Sequence, residues 1–541
     1  MRRPLLALCA LLATTALSPA MDYSTMLPTL EEDIRREMRE WNIGGIAVAL
    51  VDDQRVVYAA GFGEAKRDSV FRVGSISKLF NAIAVMQQVE AGKLNLDASL
   101  PAEVLPLNPF PGAPAVTLRQ ILCHRSGLQR ESTVGGYFDE SQPGLAATLA
   151  SVPSSVLVTR PGEKTRYSNV APSLAGHLVE LASGQTFADY QSDHLLRPLG
   201  MTSSAWTLAR VPRNRIAVSH MRVADGRGGW QRRQAPLFDL GTLPAGNLFS
   251  TAEDLARFAS ALLAGGGGLV APETLHEMWQ PQLTKDTEGF GLGFIVGKFR
   301  EHRTISHNGA VYGYSSLLVL LPEEKLAAIV LGNEDVVNGR IRHIGDTALS
   351  LLLAAKLGEK PPEPANPPSP QDLRRFAGDY ESQSFWARLE VRDGKLLGEI
   401  SGQPTKFVPV GEMTFTAHNR IDEALAVAFE QDGAGVISGF KYGPLQLFRR
   451  VPANPPPLPA YWRAFLGSYG PSFIPVVVSE RHGHLYAMTE NMVDYRLTPV
   501  NRNVCALPPG MYADEQIVFL TGTRGRPYSV NFANMLLRRR R

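Results

Sequence analysis

A serine and a lysine three residues apart, Ser75 and Lys78, stand at the start of an apolar run with helical spacing that ends at Gly92. Positions i and i+3 of a helix lie on one face, so the two side chains are predicted to be neighbours. A serine hydroxyl becomes a nucleophile when a base or cation activates it, and a helix N-terminus favours developing negative charge. The pair is a candidate nucleophile with its activator, although a helix cap beside a solvated lysine has the same pattern.

Two later segments carry polar groups that could serve the same reaction. Tyr167 and Asn169 lie on a loop punctuated by glycine and proline. A tyrosine beside a lysine can be held as a phenolate and take the serine proton, and an asparagine offers a donor and an acceptor to a substrate amide. His307 and Gly309 end a predicted strand, where glycine lets the backbone approach a ligand and the N–H of Ala310 could point into a cleft. A surface turn without a catalytic role would explain Tyr167 and Asn169 equally well.

The elements around these segments predict an α+β domain. A helix at 29–40 comes before two paired strands at 46–51 and 55–59. Further strands are predicted at 291–296, 304–307, 313–321 and 325–332. The first hairpin and these later strands are separated by more than 200 residues that include several helical patterns. This arrangement favours one antiparallel sheet that takes strands from both ends of the domain and is covered by helices from its middle.

Three short motifs together carry a family resemblance: Ser75-Ile-Ser-Lys78, Tyr167-Ser-Asn169 and His307-Asn-Gly309. They occur in the order, and at about the distances, of the active-site motifs of serine β-lactamases and penicillin-binding proteins. Over roughly 27–356 the chain resembles that superfamily, and most closely its class C-like branch of β-lactamases, D-alanyl-D-alanine carboxypeptidases, D-aminopeptidases and esterases. The resemblance implies a β-lactamase/transpeptidase-like domain, an antiparallel sheet flanked by helices with a helical subdomain.

The resemblance also implies a role for each candidate residue. Ser75 would attack a carbonyl, Lys78 with Tyr167 would remove and return its proton, and Asn169 and His307 would orient or polarise the substrate. The backbone N–H groups of Ser75 and Ala310, with Gly309 beside the latter, would hold the oxyanion. The chain lacks a second histidine for a zinc-peptidase motif, a nucleophile elbow and a phosphate-loop lysine, so we expect no cofactor and no metal.

The third motif departs from that of true β-lactamases, which have Lys-Thr-Gly or a close variant where this chain has His307-Asn308-Gly309. Related sequences with histidine there include esterases and D-amino-acid peptidases. The resemblance therefore favours a serine hydrolase acting on a D-amino-acid peptide, a peptidoglycan fragment or a small ester. A class C-like β-lactamase and a non-catalytic penicillin-binding-like receptor or scaffold stay open, because all three share the site.

An internal repeat follows the region of resemblance. Phe376-Ala-Gly-Asp-Tyr380 returns 89 residues later as Phe465-Leu-Gly-Ser-Tyr469, and two further anchors share that offset. Proline-rich linkers at 358–371 and 452–460 separate a catalytic domain at 21–357 from two small antiparallel barrel-like repeats. We call them the first β-module (372–451) and the second β-module (461–541). Rigid spacing, capping of the cleft and binding of a surface are all open roles for them.

The first twenty residues predict a secretory signal peptide: two arginines, thirteen mostly apolar residues, then Ser18-Pro19-Ala20. We expect cleavage near Ala20, a periplasmic or extracellular location and no stable membrane span, because thirteen residues are too few to cross a bilayer. The formal net charge of +3 is too small to favour nucleic acid. The expected partner is a small-molecule or short peptide substrate, including cell-wall fragments, and the sequence leaves the oligomeric state open.

Overall fold

The computed structural model describes residues 21–101, 104–105, 110, 112, 115–152, 157–224, 229–360, 372–444, 446–523 and 525–540. The predicted signal peptide at 1–20 and most of the first proline-rich linker lie outside the described residues. Among the described helices, none has the length and apolar character needed to cross a membrane.

The described α-helices and strands belong to a large N-terminal part and to two smaller all-β parts of the chain. The α-helices are α1 (Leu27–Trp41), α2 (Ser77–Glu90), α3 (Leu118–Leu122), α4 (Gly144–Ala150), α5 (Val170–Ser183), α6 (Phe187–Gln191), α7 (Leu243–Gly246), α8 (Ala252–Leu263), α9 (Pro272–Met278) and α10 (Asn338–Leu357). The strands of the catalytic domain are β1 (Gly45–Asp52), β2 (Arg55–Gly63), β3 (Phe71–Arg72), β4 (His220–Ala224), β5 (Trp230–Gln234), β6 (Phe249–Ser250), β7 (Gly289–Phe290), β8 (Ile295–Phe299), β9 (His302–Val311), β10 (Tyr314–Leu321) and β11 (Leu326–Gly332).

The strands of the two β-modules continue this numbering. The first β-module has β12 (Gly378–Glu381), β13 (Trp386–Arg392), β14 (Lys395–Ile400), β15 (Gln403–Pro409), β16 (Thr414–His418), β17 (Leu425–Gln431), β18 (Ile437–Tyr442) and β19 (Gln446–Arg450). The second has β20 (Gly467–Tyr469), β21 (Val476–Arg481), β22 (His484–Met488), β23 (Asp494–Arg496), β24 (Thr498–Pro499), β25 (Val504–Ala506), β26 (Gln516–Thr521), β27 (Pro527–Phe532) and β28 (Met535–Arg538).

The main sheet of the catalytic domain has the order β2-β1-β11-β10-β9-β8-β7, with antiparallel neighbours throughout. The sequence prediction of one antiparallel sheet fed from both ends of the domain is confirmed. Alternate residues of β1 face opposite sides: Ile46, Val48 and Leu50 pack with α1 and α10, and Ala47, Ala49 and Val51 pack with α2 and α8. Helices cover both faces, so β1 is an unbroken apolar run and does not alternate with polar residues.

The first β-module is a closed eight-stranded barrel running from β12 to β19. Aromatic side chains fill its interior, and the Phe440 and Phe448 rings stack with centroids 4.6 Å apart. The second β-module divides into a four-stranded sheet, β20 to β23, and a five-stranded sheet, β24 to β28. The prediction of all-β antiparallel modules is therefore confirmed, with a barrel in the first copy and two sheets in the second.

The internal repeat preserves one structural corner in both modules. The Tyr380 hydroxyl donates to the carbonyl of Phe376 at 2.8 Å, and the Tyr469 hydroxyl donates to that of Phe465 at 2.7 Å. An arginine near the end of each module covers the tyrosine ring, 5.1 Å away in the first copy and 5.7 Å in the second. The repeated sequence thus corresponds to the same hydrogen bond, from a tyrosine hydroxyl to the carbonyl four residues earlier, at the start of each module.

The first β-module is fastened to the catalytic domain by Arg420, in the loop between β16 and β17. Arg420 is 1% exposed and donates to the carbonyl of Trp41 at 2.6 Å. It also donates to the Glu334 carboxylate at 3.3 Å and to the carbonyl of Asp335 at 3.2 Å. A charged side chain from the module is therefore neutralised inside the catalytic domain.

The second β-module docks through Glu515, just before β26. Its carboxylate accepts a hydrogen bond from the backbone N–H of Arg130 at 3.0 Å and pairs with the guanidinium of Arg166. Asn534 adds a hydrogen bond to the Gln129 side chain. Both modules thus rest on the face of the catalytic domain that carries the candidate residues.

Candidate active site

Ser75 lies in one 3₁₀ turn, Gly74–Ile76, directly before α2. The sequence predicted Ser75 in the first turn of the α-helix, whereas the structure places it in the 3₁₀ turn that precedes the helix. Gly74 has a φ of +53°, and a Cβ there would lie 2.8 Å from the backbone nitrogen of Ala310. Glycine therefore permits the close approach that brings the Ser75 turn against β9.

Gly309 of β9 supports the same approach from the other side. A Cβ on it would lie 2.0 Å from the carbonyl oxygen of Val73 and 2.4 Å from the hydroxyl of Ser316. That hydroxyl donates to the Val73 carbonyl at 2.8 Å and ties β10 to the turn. As a result, Ser75 and Ala310 line one cleft, as an oxyanion site built from their two N–H groups requires.

Lys78 is 3% exposed and its Nζ has three near neighbours. The nitrogen lies 3.0 Å from Ser75 Oγ, 2.8 Å from Asn169 Oδ1 and 2.8 Å from the carbonyl oxygen of Ala245. The two carbonyl oxygens can only accept hydrogen bonds. A neutral amine would satisfy both with its two N–H groups and direct its lone pair at the Ser75 hydroxyl.

The electrostatics of the site favour that neutral amine. Burial, and after it the positive charge of Arg130, hold the pKa of Lys78 well below its ordinary value. Only the carboxylate of Glu131 acts in the opposite direction. Lys78 is therefore suited to take the Ser75 proton as a base.

Tyr167 is a phenol in this site, which differs from the phenolate expected from the sequence. Burial raises the pKa of Tyr167, while its hydrogen bond to Ser75 and the charge of Arg130 lower it by smaller amounts. Lys78 Nζ lies 4.8 Å from the centroid of the Tyr167 ring, against its face. Tyr167 can thus donate a proton near Ser75, and the base is Lys78.

His307 is a buried residue of β9 and is 1% exposed. Its ring centroid is 6.3 Å from that of Tyr167. Nδ1 lies 2.6 Å from the carbonyl oxygen of Asn308, which assigns the proton to Nδ1, and Nε2 is buried without a hydrogen-bond partner among the described residues. Burial lowers the pKa of His307 to about 3, so the imidazole is neutral. His307 directly precedes Asn308, which lines the cleft, and its contact with the substrate stays a prediction.

Asn169 connects Lys78 to a carboxylate that sequence reasoning missed. Its Nδ2 donates to Glu131 Oε1 at 2.6 Å, while its Oδ1 faces Lys78. Glu131 is fully buried, and burial raises its pKa to about 7. Asn169 therefore positions the base, and its amide is already engaged on both sides.

Arg130, the neighbour of Glu131, was also missed. Its guanidinium lies 5.6 Å from the centroid of the Tyr167 ring, and its Nε is 3.6 Å from Glu131 and 3.7 Å from Glu490 of the second β-module. The Tyr512 hydroxyl donates to the same Glu490 at 2.9 Å. None of the three motifs of the sequence analysis contains Arg130 or Glu131, so no sequence signal pointed to either.

The cleft around Ser75 has a volume of about 320 Å³. The catalytic domain contributes Tyr167 and the β9 segment from Asn308 to Val311. The first β-module contributes Ile421, and the second contributes Glu490, Asn491 and Met511. Of the roles left open by the sequence, the structure shows the modules forming part of the cleft wall.

The chain matches a protein-family model, described as Beta-lactamase, over residues 30–350, which is more than half of its length. The chain belongs to the Beta-lactamase family. The match contains all seven candidate residues named from the sequence. Members of this family include serine hydrolases such as amidases and esterases.

Two curated relatives extend the family match. "Penicillin-binding protein 4" of Amycolatopsis lactamdurans is 29% identical over 334 residues, which cover 58% of this chain and 85% of that protein. "Putative beta-lactamase-like 1" of Homo sapiens is 28% identical over 397 residues, covering 68% of this chain and 76% of that protein. The second alignment covers more residues than the predicted catalytic domain contains.

Two solved structures share the fold at low sequence identity. The octameric penicillin-binding protein homologue from Pyrococcus abyssi superposes with a TM-score of 0.56 at 22% identity, covering 78% of this chain and all of that one. The D-amino acid amidase from Ochrobactrum anthropi SV3 superposes with a TM-score of 0.52 at 21% identity, covering 62% of this chain and all of that one. At these identities, the likeness shows the fold alone.

Proposed function

We propose that the chain is an exported serine hydrolase that forms an acyl-enzyme on Ser75 from an amide or ester. Its substrates would be D-amino-acid peptides, peptidoglycan fragments or small esters. The observation that carries the proposal is the buried Lys78 amine, 3.0 Å from Ser75 Oγ, with two carbonyl oxygens as its other neighbours. The export part rests on the sequence pattern of residues 1–20.

The reaction would proceed by acylation and then hydrolysis. Lys78 takes the Ser75 proton as Oγ bonds to the substrate carbonyl carbon, and the N–H groups of Ser75 and Ala310 stabilise the oxyanion. The bond to the leaving nitrogen or oxygen then breaks, and the Tyr167 phenol supplies the proton that the leaving group needs. Water attacks the acyl-enzyme, and its proton passes back through the same groups to restore Ser75, Tyr167 and Lys78.

The charge of the cleft supports amides and esters over β-lactam antibiotics. Penicillins and cephalosporins carry a carboxylate, and the buried, neutral imidazole of His307 offers it no positive charge. The cation that does line the cleft, Arg130, lies between Glu131 and Glu490. The D-amino acid amidase from Ochrobactrum anthropi SV3 shares only the fold, and its name suggests D-amino-acid amides as substrates to test.

A substrate panel tests the proposal. The protein should hydrolyse p-nitrophenyl acetate and D-amino-acid amides with a higher kcat/KM than a chromogenic cephalosporin. Ser75→Ala should lower the rates by about 10³-fold or more, because only binding and oxyanion stabilisation remain. The matched control is Ser438→Ala, which removes the serine of a second Ser-x-x-Lys sequence, in β18. Residues three apart on a strand face opposite sides, so this variant should keep full activity.

Each alternative has its own result in the same panel. Faster turnover of the cephalosporin would favour a β-lactamase. A stoichiometric burst from Ser75 without turnover would favour a penicillin-binding-like receptor. Equal activity in Ser75→Ala and in the unchanged protein would contradict every role assigned to Ser75.

A further inference from the structure

A second cavity of about 350 Å³ lies between the two β-modules and adjoins the Ser75 cleft. We call it the distal pocket and define it by Phe385, Ile400, Leu425, Tyr442, Val493 and Tyr495. Ile421 and Asn491 line both the distal pocket and the cleft. The two spaces are therefore separated by the same two side chains, one from each module.

The Ile421 side of this boundary is held rigidly. Within the loop, Asn419 Oδ1 accepts the N–H groups of Ile421 at 2.8 Å and Asp422 at 2.7 Å. On the catalytic side, a Cβ on Gly339 would lie 2.8 Å from the carbonyl carbon of Ile421, so the loop sits directly against the start of α10. Arg420 anchors the same loop, and Ile421 has a fixed position at the cleft.

The Asn491 side is held by the first β-module. Gln403 Nε2 donates to the carbonyl of Met492 at 2.8 Å and to that of Asn491 at 3.2 Å. The Asn491 side chain donates to the Tyr495 hydroxyl at 3.0 Å. The first β-module therefore holds Asn491, while its own loop and the catalytic domain hold Ile421, so both sides of the boundary are fixed before any substrate binds.

The chemistry of the distal pocket suits an apolar group. Tyr442 OH donates to Asp422 Oδ2 at 3.0 Å, and Asn419 Nδ2 donates to the same Oδ2 at 3.1 Å. These polar atoms bond to one another, while the Phe385 and Tyr495 rings, 5.7 Å apart, and the aliphatic side chains supply the lining. Concave spaces of this size with aromatic and aliphatic walls are typical of small-molecule sites.

We propose that the distal pocket binds the apolar far end of the acyl part of the substrate while its carbonyl lies at Ser75. The preferred substrate would then carry a long aliphatic or aromatic acyl group that passes between Ile421 and Asn491. This inference rests on the proposed serine hydrolase activity and goes beyond it by assigning a specificity site to the junction of the two modules.

A chain-length series tests the inference. The full-length protein is assayed with p-nitrophenyl acetate and p-nitrophenyl octanoate, which share a leaving group and differ by six methylenes. Each buried methylene contributes about 0.8 kcal/mol, so burying only three of the six should give the octanoate at least a 30-fold higher kcat/KM than the acetate. Ile421→Trp should remove most of that preference by filling the boundary, so the octanoate-to-acetate ratio of kcat/KM should fall toward one. The matched control, Val436→Trp, enlarges an exposed valine of the same module and should leave both rates unchanged.

The outcomes separate this inference from the proposed function. Ser75-dependent hydrolysis of the acetate without an octanoate preference would overturn the distal pocket and leave the hydrolase intact. No Ser75-dependent hydrolysis of either ester would contradict the hydrolase itself. A preference that follows the alcohol, tested with octyl acetate against ethyl acetate, would also overturn the inference. If Ile421→Trp melts early, Ile421→Ala serves as the second variant, and an unchanged octanoate-to-acetate ratio in it would count against the boundary role.

Discussion

Replacing Arg420 with methionine is expected to loosen the first β-module from the catalytic domain. Methionine keeps most of the side-chain volume but removes the guanidinium that contacts the Trp41, Val336 and Asp335 carbonyls and the Glu334 carboxylate. Burial lowers the pKa of Arg420 to about 10 and raises that of Glu334, so both charges are held at a desolvation cost that their contacts must offset.

The size of the effect follows from that burial. Removing one partner of a buried ion pair costs about 3–5 kcal/mol, because the other charge stays buried without it. Arg232 still pairs with Glu334 at 2.9 Å, so the lower end of that range is expected. Arg449→Met is the matched control: its pair with Glu430 lies at the surface, with the two side chains 57% and 33% exposed, and contributes about 0–1 kcal/mol.

Equilibrium urea unfolding of the full-length protein measures the difference. The first transition of Arg420→Met should move by about 1 M or more to lower urea, given typical dependences of 1–3 kcal/mol per M, and the control should barely move. Because Arg420 adjoins Ile421, the variant should also change the octanoate-to-acetate ratio. Identical midpoints for the two variants would refute the reasoning that a buried charge fastens the module.

Two further predictions concern the catalytic groups. The burst rate of p-nitrophenolate release should rise with pH as Lys78 loses its proton, with a midpoint well below the pKa of about 10.4 for free lysine. This pH-dependent rise should be absent in Lys78→Ala. A midpoint near 10 would contradict the assignment of Lys78 as a neutral base. Gly309→Ala should lower kcat by about 10²-fold or more, because the new Cβ would lie 2.0 Å from the Val73 carbonyl and displace the Ala310 N–H. Gly433→Ala, where a Cβ meets nothing within 4 Å, is the control, and equal rates in the two variants would exclude the close approach as a requirement.

Local sequence patterns determined the parts of this protein that depend on nearby residues. The Ser75-to-Lys78 spacing on a helical run predicted their contact, since residues three apart on a helix share a face. The apolar runs predicted the strands of the main sheet, and the 89-residue repeat predicted two antiparallel β-modules. Motifs of this kind are readable because the backbone geometry itself brings their residues together.

Tertiary structure alone decided the groups that surround Ser75 from distant parts of the chain. Arg130 and Glu515 touch across 385 residues of sequence, and no local pattern predicts such a contact. The same holds for Ile421 and Glu490, which place both modules at the cleft. Protonation was also beyond the sequence: the phenol of Tyr167 follows from burial. Desolvation depends on everything packed around a group, and that packing exists only once the three units have come together.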